Sequence, residues 1–221
     1  MPLESAYFNG YYEEMVDFIR SLFESALKTN LYLEFAVITG CLRISKESIF
    51  TEMNNLRILS VLSEGYGEYF GFTDEEVQKL CSDYGIPEKY PAVKEWYDGY
   101  IFGNVHVYNP WSVIQFVEEL WINPNHLPSP YWANTSSNSI FREMIELAGR
   151  ETKDEIEAVI EGKSVEKPVH EDITYEEIEK SMDNLWNFMF FTGYFRKTGK
   201  AARGERICLS ARYPEGKQPM R

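Results

Sequence analysis

Between Glu34 and Leu56 four consecutive apolar residues, Phe35-Ala36-Val37-Ile38, run without alternation and stop at Thr39-Gly40. An apolar run with no polar face suits a strand buried on both sides, and such strands belong to parallel sheets covered by helices on each face. Just upstream, Tyr12, Met15, Val16, Ile19, Leu22, Phe23, Ala26 and Leu27 recur at helical spacing from about Gly10 to Lys28, and Asn30 can end the helix. Helix, short turn and buried strand form the second half of a βαβ unit. The strand expected before that helix has no counterpart in the sequence, so a fragment of an α/β domain is the first expectation.

Ligand-facing groups of parallel α/β sheets sit at the carboxyl ends of the strands. Here that position holds Thr39, followed within one short polar stretch by Arg43, Ser45, Lys46, Asn54 and Asn55. Thr39 could sense a γ-phosphate and Arg43 neutralise charge on it. Equally, Thr39-Gly40 could form a turn while Arg43 pairs with Glu47 or Glu52. Neither G-x-x-x-x-G-K-[ST] nor G-x-G-x-x-G occurs, and no apolar strand ending in paired acids precedes the first helix. Without a backbone cradle, its lysine and a magnesium-binding acid, phosphoryl transfer cannot be assembled.

Other chemistries are poorly supplied. The cysteines Cys41, Cys81 and Cys208 are far apart, with no C-x-x-C pair, so zinc-knuckle and redox motifs are excluded. His106, His126 and His170 lie at no metal-ligand spacing, and no G-x-S-x-G elbow exists. Asp154 with Glu161-Gly162-Lys163 imitates a nuclease pattern, but those acids should lie on strands, whereas these fall on and beyond a charged helix. The formal net charge is -13, which argues against nucleic acid as a partner of this segment. The first residues have no basic or strongly apolar stretch of a signal peptide, and no run nears the ~20 apolar residues of a membrane span. No membrane partner and a cytoplasmic location are expected.

Downstream, Leu56–Leu62 reads as another strand and 63–67 as a turn. Thr73 caps a helix rich in acids in its first turn and closed by Gly85. A short helix follows over 88–96, then a hairpin over 100–108 turning at Gly103-Asn104. Asn109 and Pro110 open a helix to about Trp121. A proline-rich loop spans 123–130, and Asn138 caps a helix over about 139–147. Residues 151–162 form a charged helix, 163–172 a polar connector and 174–191 a long helix. A hairpin pairs 194–198 with 206–210, and a ragged end follows.

Aromatic residues crowd the loops: Trp96-Tyr97-Asp98-Gly99-Tyr100, Tyr108-Asn109-Pro110-Trp111 and Tyr131-Trp132-Ala133-Asn134. Trp96, Tyr97, Asp98, Tyr100, Asn109, Trp111, Trp132 and Asn134 could stack bases or anchor a protein partner. The competing reading has Trp and Tyr filling a small core while their polar tips bond loop backbone.

Taken in order, TGCLRISKESIF with NNL, GFTDEEV, WYDGYIFG, YNPWSV, YWANTSSN and LWNFMFFTGYF resemble blocks of the AAA-ATPase-like proteins of anaerobic gut and oral bacteria. The match runs from about Pro2 to about Lys197. The resemblance implies an α/β, helix-rich fold comprising the carboxy-terminal part of a P-loop ATPase-like sheet and a helical lid with a small β-hairpin. It divides the chain into a core remnant (1–63), a lid region with aromatic loops (64–150), linker helices (151–200) and a poorly ordered tail (201–221). Family members carry a phosphate loop and magnesium-binding acids before this segment, and commonly a PD-(D/E)XK nuclease-like domain after it. The resemblance gives Thr39 and Arg43 a nucleotide-sensing role, but no residues here match the family's catalytic lysine and acids. The expectation is therefore a truncated, catalytically incompetent ATPase portion. No cofactor is expected in the fragment, ATP and magnesium belonging to full-length members. Self-association, or pairing with the missing amino-terminal half, is expected. The alternative is a non-enzymatic interaction module that binds protein or single-stranded nucleic acid through its aromatic loops.

Overall fold

A computed structural model describes residues 2–28, 30–40, 56–131, 145–146, 148–171, 177, 181–198 and 206–211. The fold is mixed α/β and helix-rich, with two small sheets whose described ladders are antiparallel. The chain divides into two compact units, Met1–Ile58 with Pro168–Thr192, and Leu59–Lys167 with Gly193–Arg221.

In the first unit, helix α1 (Pro2–Phe8) turns at Gly10 (φ +76°) into helix α2 (Tyr12–Phe23). The last turn of α2 widens into a π-helical segment, Glu24–Lys28. Asn30 ends it: its Nδ2 donates to the Ala26 carbonyl (3.1 Å) and its Oδ1 accepts from the Tyr32 N–H (3.0 Å). Leu3, Ala6, Tyr12 and Val16 are buried, and the Tyr7 ring meets Tyr12 edge-on. The apolar residues of α2 form two rows. Tyr12 and Val16 are buried, whereas Tyr11, Phe18 and Leu22 face solvent.

The strand expected at Phe35–Ile38 is not formed. Residues 31–40 carry no ladder, and Phe35 and Val37 are 82% and 73% exposed. A strand exists only through a neighbour's N–H and C=O groups, and composition cannot supply that neighbour. Leu56–Leu62 likewise forms no strand. Residues 61–66 turn and bend, and Val61 accepts a hydrogen bond from the Gly103 N–H (2.8 Å).

Helix α7 (Met182–Phe191) also belongs to this unit; the label follows chain order, α3 to α6 lying in the second unit. The long helix expected from Thr174 does not run continuously into it. Ser181 is extended (φ -154°), and its Oγ caps α7 by accepting from the Asn184 N–H (3.2 Å). Six consecutive residues, Leu185 to Phe190, are buried, so α7 is covered all round. The polar member, Asn187, is fully used. Its Oδ1 accepts from the His170 N–H (2.9 Å), and its Nδ2 donates to the carbonyls of Pro168 (2.9 Å) and Asp183 (2.8 Å).

The second unit is built on a hairpin, β1 (Asp98–Phe102) and β2 (Val105–Tyr108), with helices α3 (Asp74–Asp83), α4 (Tyr90–Tyr97) and α5 (Pro110–Ile122). Register runs Phe102↔Val105, Ile101↔His106 and Tyr100↔Val107. It then slips at Gly99, so that Asp98 faces Tyr108. Val77, Cys81, Val93, Tyr97, Tyr108, Val113, Phe116 and Leu120 form the core. Helix α6 (Arg150–Ile160) and a three-stranded sheet follow, in the order β3 (Ser164–Pro168), β5 (Arg206–Ala211), β4 (Phe195–Thr198). Strand β3 replaces part of the polar connector expected over 163–172. It lies at the sheet edge, where charged residues are favoured, and Lys167 bonds Glu155 of α6 (2.6 Å). The capped helices and both hairpins otherwise fall within a few residues of their expected places. The helix expected at 139–147 and the ragged end lie outside the described residues, apart from Ile145 and Glu146, which are helical.

The hairpin tip explains one glycine. Gly103 has φ +58°, and a Cβ there would sit 2.4 Å from the Ser63 carbonyl oxygen. Lys197 of β4 donates to the Gly103 carbonyl (3.1 Å), and Asn104 Nδ2 donates to Glu64 (3.0 Å). The tip is held from both sides.

Candidate functional site

The start of α3 is a capping box. Thr73 Oγ1 accepts from the Glu76 N–H (3.3 Å), and the Glu76 carboxylate accepts from the Thr73 N–H (2.8 Å). With Thr73 and Glu76 serving the backbone, the next residue, Asp74, is free to turn toward its neighbours. One turn along α3, Gln78 donates to it (2.7 Å). Tyr90 and Lys94, one turn apart on α4, donate at 2.7 and 2.9 Å. Tyr108, the last residue of β2 and fully buried, donates its hydroxyl as well. One carboxylate thus gathers donors from three elements.

Burial works to raise the Asp74 pKa. The hydrogen bonds from Tyr108, Tyr90, Lys94 and Gln78 outweigh it and hold the carboxyl well below the usual range. Burial, then the bond to Asp74, pushes the Tyr108 phenol up, and the Asp74 bond raises Lys94. A carboxylate offers about four lone-pair sites, and four donors occupy them. Protonating Asp74 would weaken the bonds that these four donors make to its charged form. The cluster is suited to fix α3, α4 and the hairpin together rather than to react. In the sequence Asp74 showed only as a first-turn acid. The i, i+4 pairs Asp74/Gln78 and Tyr90/Lys94 were the available signal.

The aromatic positions divide. Trp96 is half-buried against the core, and Tyr97 is buried between Phe116 (5.7 Å) and Tyr131 (6.1 Å). The Tyr97 hydroxyl lies 3.1 Å from both the N–H and the carbonyl of Ser129, tying down the proline-rich loop. Tyr100 is half-buried on Phe102 (5.6 Å). Asp98, 3.6 Å from His106 Nδ1, flanks the register slip. Asn109 is buried as the cap of α5, accepting from the Trp111 N–H (3.0 Å), whereas Trp111 itself is exposed. Trp132, Asn134 and Arg43 lie outside the described residues, and Thr39 is exposed on a segment without regular secondary structure. Among the described residues no three His, Cys, Asp or Glu side chains are grouped to hold a metal. No described helix is long and apolar enough to cross a membrane.

Over 132 residues, 60% of the chain, the sequence is 25% identical to a protein of Azotobacter chroococcum mcd 1 described as "Uncharacterized protein in vnfD 5'region". The match spans only 24% of that protein's length. No family model and no solved structure matches the chain.

Proposed function

We propose that this chain is the carboxy-terminal portion of a P-loop ATPase domain of the AAA-ATPase-like kind, not competent in catalysis alone. Its first unit contributes a helix and strand to a sheet completed by other chain, and its second unit is the lid. The observation that carries this is the segment Leu31–Ile38. It is mostly apolar, forms no ladder and is exposed, and it follows a helix with a second apolar row of its own. An internal strand of a parallel sheet has that composition, and only neighbouring strands and helices satisfy it. The match to a small part of a longer relative is consistent with this reading.

The described residues do not fit a magnesium nucleotide. No acid cluster is present among them, and Thr39 stands on exposed backbone without a phosphate cradle nearby in sequence. Isothermal titration with Mg-ATP should show no binding; sub-millimolar affinity would sink the proposal. Light scattering at high protein concentration should show self-association through the unpaired segment, and a strict monomer would count against it. The second reading is an interaction module that binds protein or single-stranded nucleic acid through the aromatic loops. The exposure of Trp111 favours it, and it predicts tryptophan quenching by an oligothymidine that Trp111→Ala removes.

A further inference from the structure

Helix α5 buries Ser112, Val113, Phe116, Val117 and Leu120, and these define its inner face. Trp111, Ile114, Trp121 and Ile122 all point outward, Trp121 and Ile122 at 82% and 71% exposure. At 100° per residue the four fall within an arc of about 100°. They form two apolar pairs along one side of the helix, Trp111 with Ile114 and Trp121 with Ile122, rich in the residue type that dominates binding energy at interfaces. Between the pairs stands Glu118, one turn from both Ile114 and Ile122 and oriented by a hydrogen bond from Gln115 (3.3 Å). The helix carries no Lys, Arg or His, and its other ionisable residue is Glu119. Among the described residues no cation pairs with Glu118.

Two apolar pairs with a carboxylate between them ask for a partner that is apolar and supplies a cation. We infer that the outer face of α5 docks a basic amphipathic helix of another protein, with a Lys or Arg set against Glu118 between the flanking tryptophans. This helix-in-groove mode takes its affinity from the apolar anchors and its choice of partner from the charge. A second copy of the chain is a poor occupant. Two-fold pairing of this face would centre near residues 116 and 117 and bring the two Glu118 carboxylates within about one helical turn of each other, between molecules that each carry a net charge of -13. The inference does not depend on the sheet completion proposed above, which concerns the other unit.

The test uses the full chain and a labelled designed helix of about 18 residues, Leu on one face and Lys on the other, with a scrambled peptide of the same composition. At about 150 mM salt, fluorescence anisotropy should give the amphipathic peptide at least about tenfold tighter binding than the scrambled one. Trp121→Asp, at an exposed position and checked for folding by circular dichroism, should weaken binding at least about tenfold. Glu118→Lys should weaken it similarly and transfer the preference to the same peptide with Glu in place of Lys. Equal binding of the scrambled peptide would overturn the inference, since net charge alone would then explain it. So would unchanged binding by Trp121→Asp. Loss of self-association in that variant would assign the face to a second copy. Binding of phosphatidylcholine vesicles that Trp121→Asp abolishes would assign it to lipid.

Discussion

Replacing Asp74 with alanine removes the acceptor on which Tyr108, Tyr90, Lys94 and Gln78 converge. The four bonds do not contribute equally. Asp74 and Lys94 side chains are 35% and 49% exposed, so solvent takes over much of what Lys94 loses. Gln78 and Tyr90 remain able to bond each other (3.2 Å). Tyr108 is fully buried, and its hydroxyl is left without the carboxylate, a cost of about 1–3 kcal/mol. Loss of an acid at the first turn of α3 adds about 0.3–1 kcal/mol. The sum is about 1.3–4 kcal/mol. With a urea slope of about 2 kcal/mol/M, a loss of about 3 kcal/mol lowers the midpoint by about 1.5 M. Tyr108→Phe, which removes the hydroxyl and leaves Asp74 its other donors, should cost about 1 kcal/mol. The double variant should fall short of the sum by about 1–2 kcal/mol, the coupling of a buried pair. The sign with pH is fixed by the depressed carboxyl. Its stabilisation is complete above the unfolded value of about 3.9 and is lost as pH falls through the lower folded value. The gap between wild type and Asp74→Ala should hold from about pH 7 to 5 and narrow below about pH 4. Urea unfolding followed by circular dichroism at several pH values measures all of this. A loss under about 1 kcal/mol, or additive single variants, would refute the clamp.

Gly103→Ala should destabilise the second unit by about 2–4 kcal/mol, because left-handed backbone and the nearby Ser63 carbonyl both oppose a Cβ. Asn104→Ala, at an exposed neighbour, should cost under about 1 kcal/mol in the same denaturation assay. Asn187→Leu should cost about 1–3 kcal/mol, since it removes the hydrogen bonds that one buried side chain makes to partly exposed backbone, among them the His170 N–H and the Pro168 carbonyl. Amide hydrogen exchange should show the loss first at His170; protection there equal to wild type would count against the role of Asn187.

What could be read from the sequence was local. The Thr73 box, the Asn109-Pro110 start and the Gly103-Asn104 turn each depend on three or four adjacent residues, and all three formed. The strands over 35–38 and 56–62 failed because pairing is a property of two segments. The edge strand β3 was hidden by its polar composition. At Ser181 the periodic pattern runs on unbroken, yet a side-chain cap starts α7 there. The Asp74 cluster needed three elements in place at once, so its members looked like unrelated surface residues. Aromatic content misled in a similar way: Tyr97 and Trp111 read alike in the sequence, but one closes a loop and the other faces water.

The two units differ in what they leave unmet. In the second unit the described polar groups largely close on one another: Asp74 is saturated, Tyr97 holds Ser129, and Lys167 holds Glu155. In the first unit the unmet demand is apolar. Burying Leu31, Phe35, Val37 and Ile38 would each contribute about 1.5–3 kcal/mol, together on the order of 6–12 kcal/mol. Association itself costs about 4–15 kcal/mol in lost freedom, so these side chains alone would hold a partner weakly. The ladder hydrogen bonds and the outer row of α2 would have to engage at the same time, and a preformed sheet edge offers both together. A flexible peptide would have to be ordered first, at about 1–2 kcal/mol per residue of backbone. On these terms a rigid sheet is a better occupant of this segment than a disordered tail.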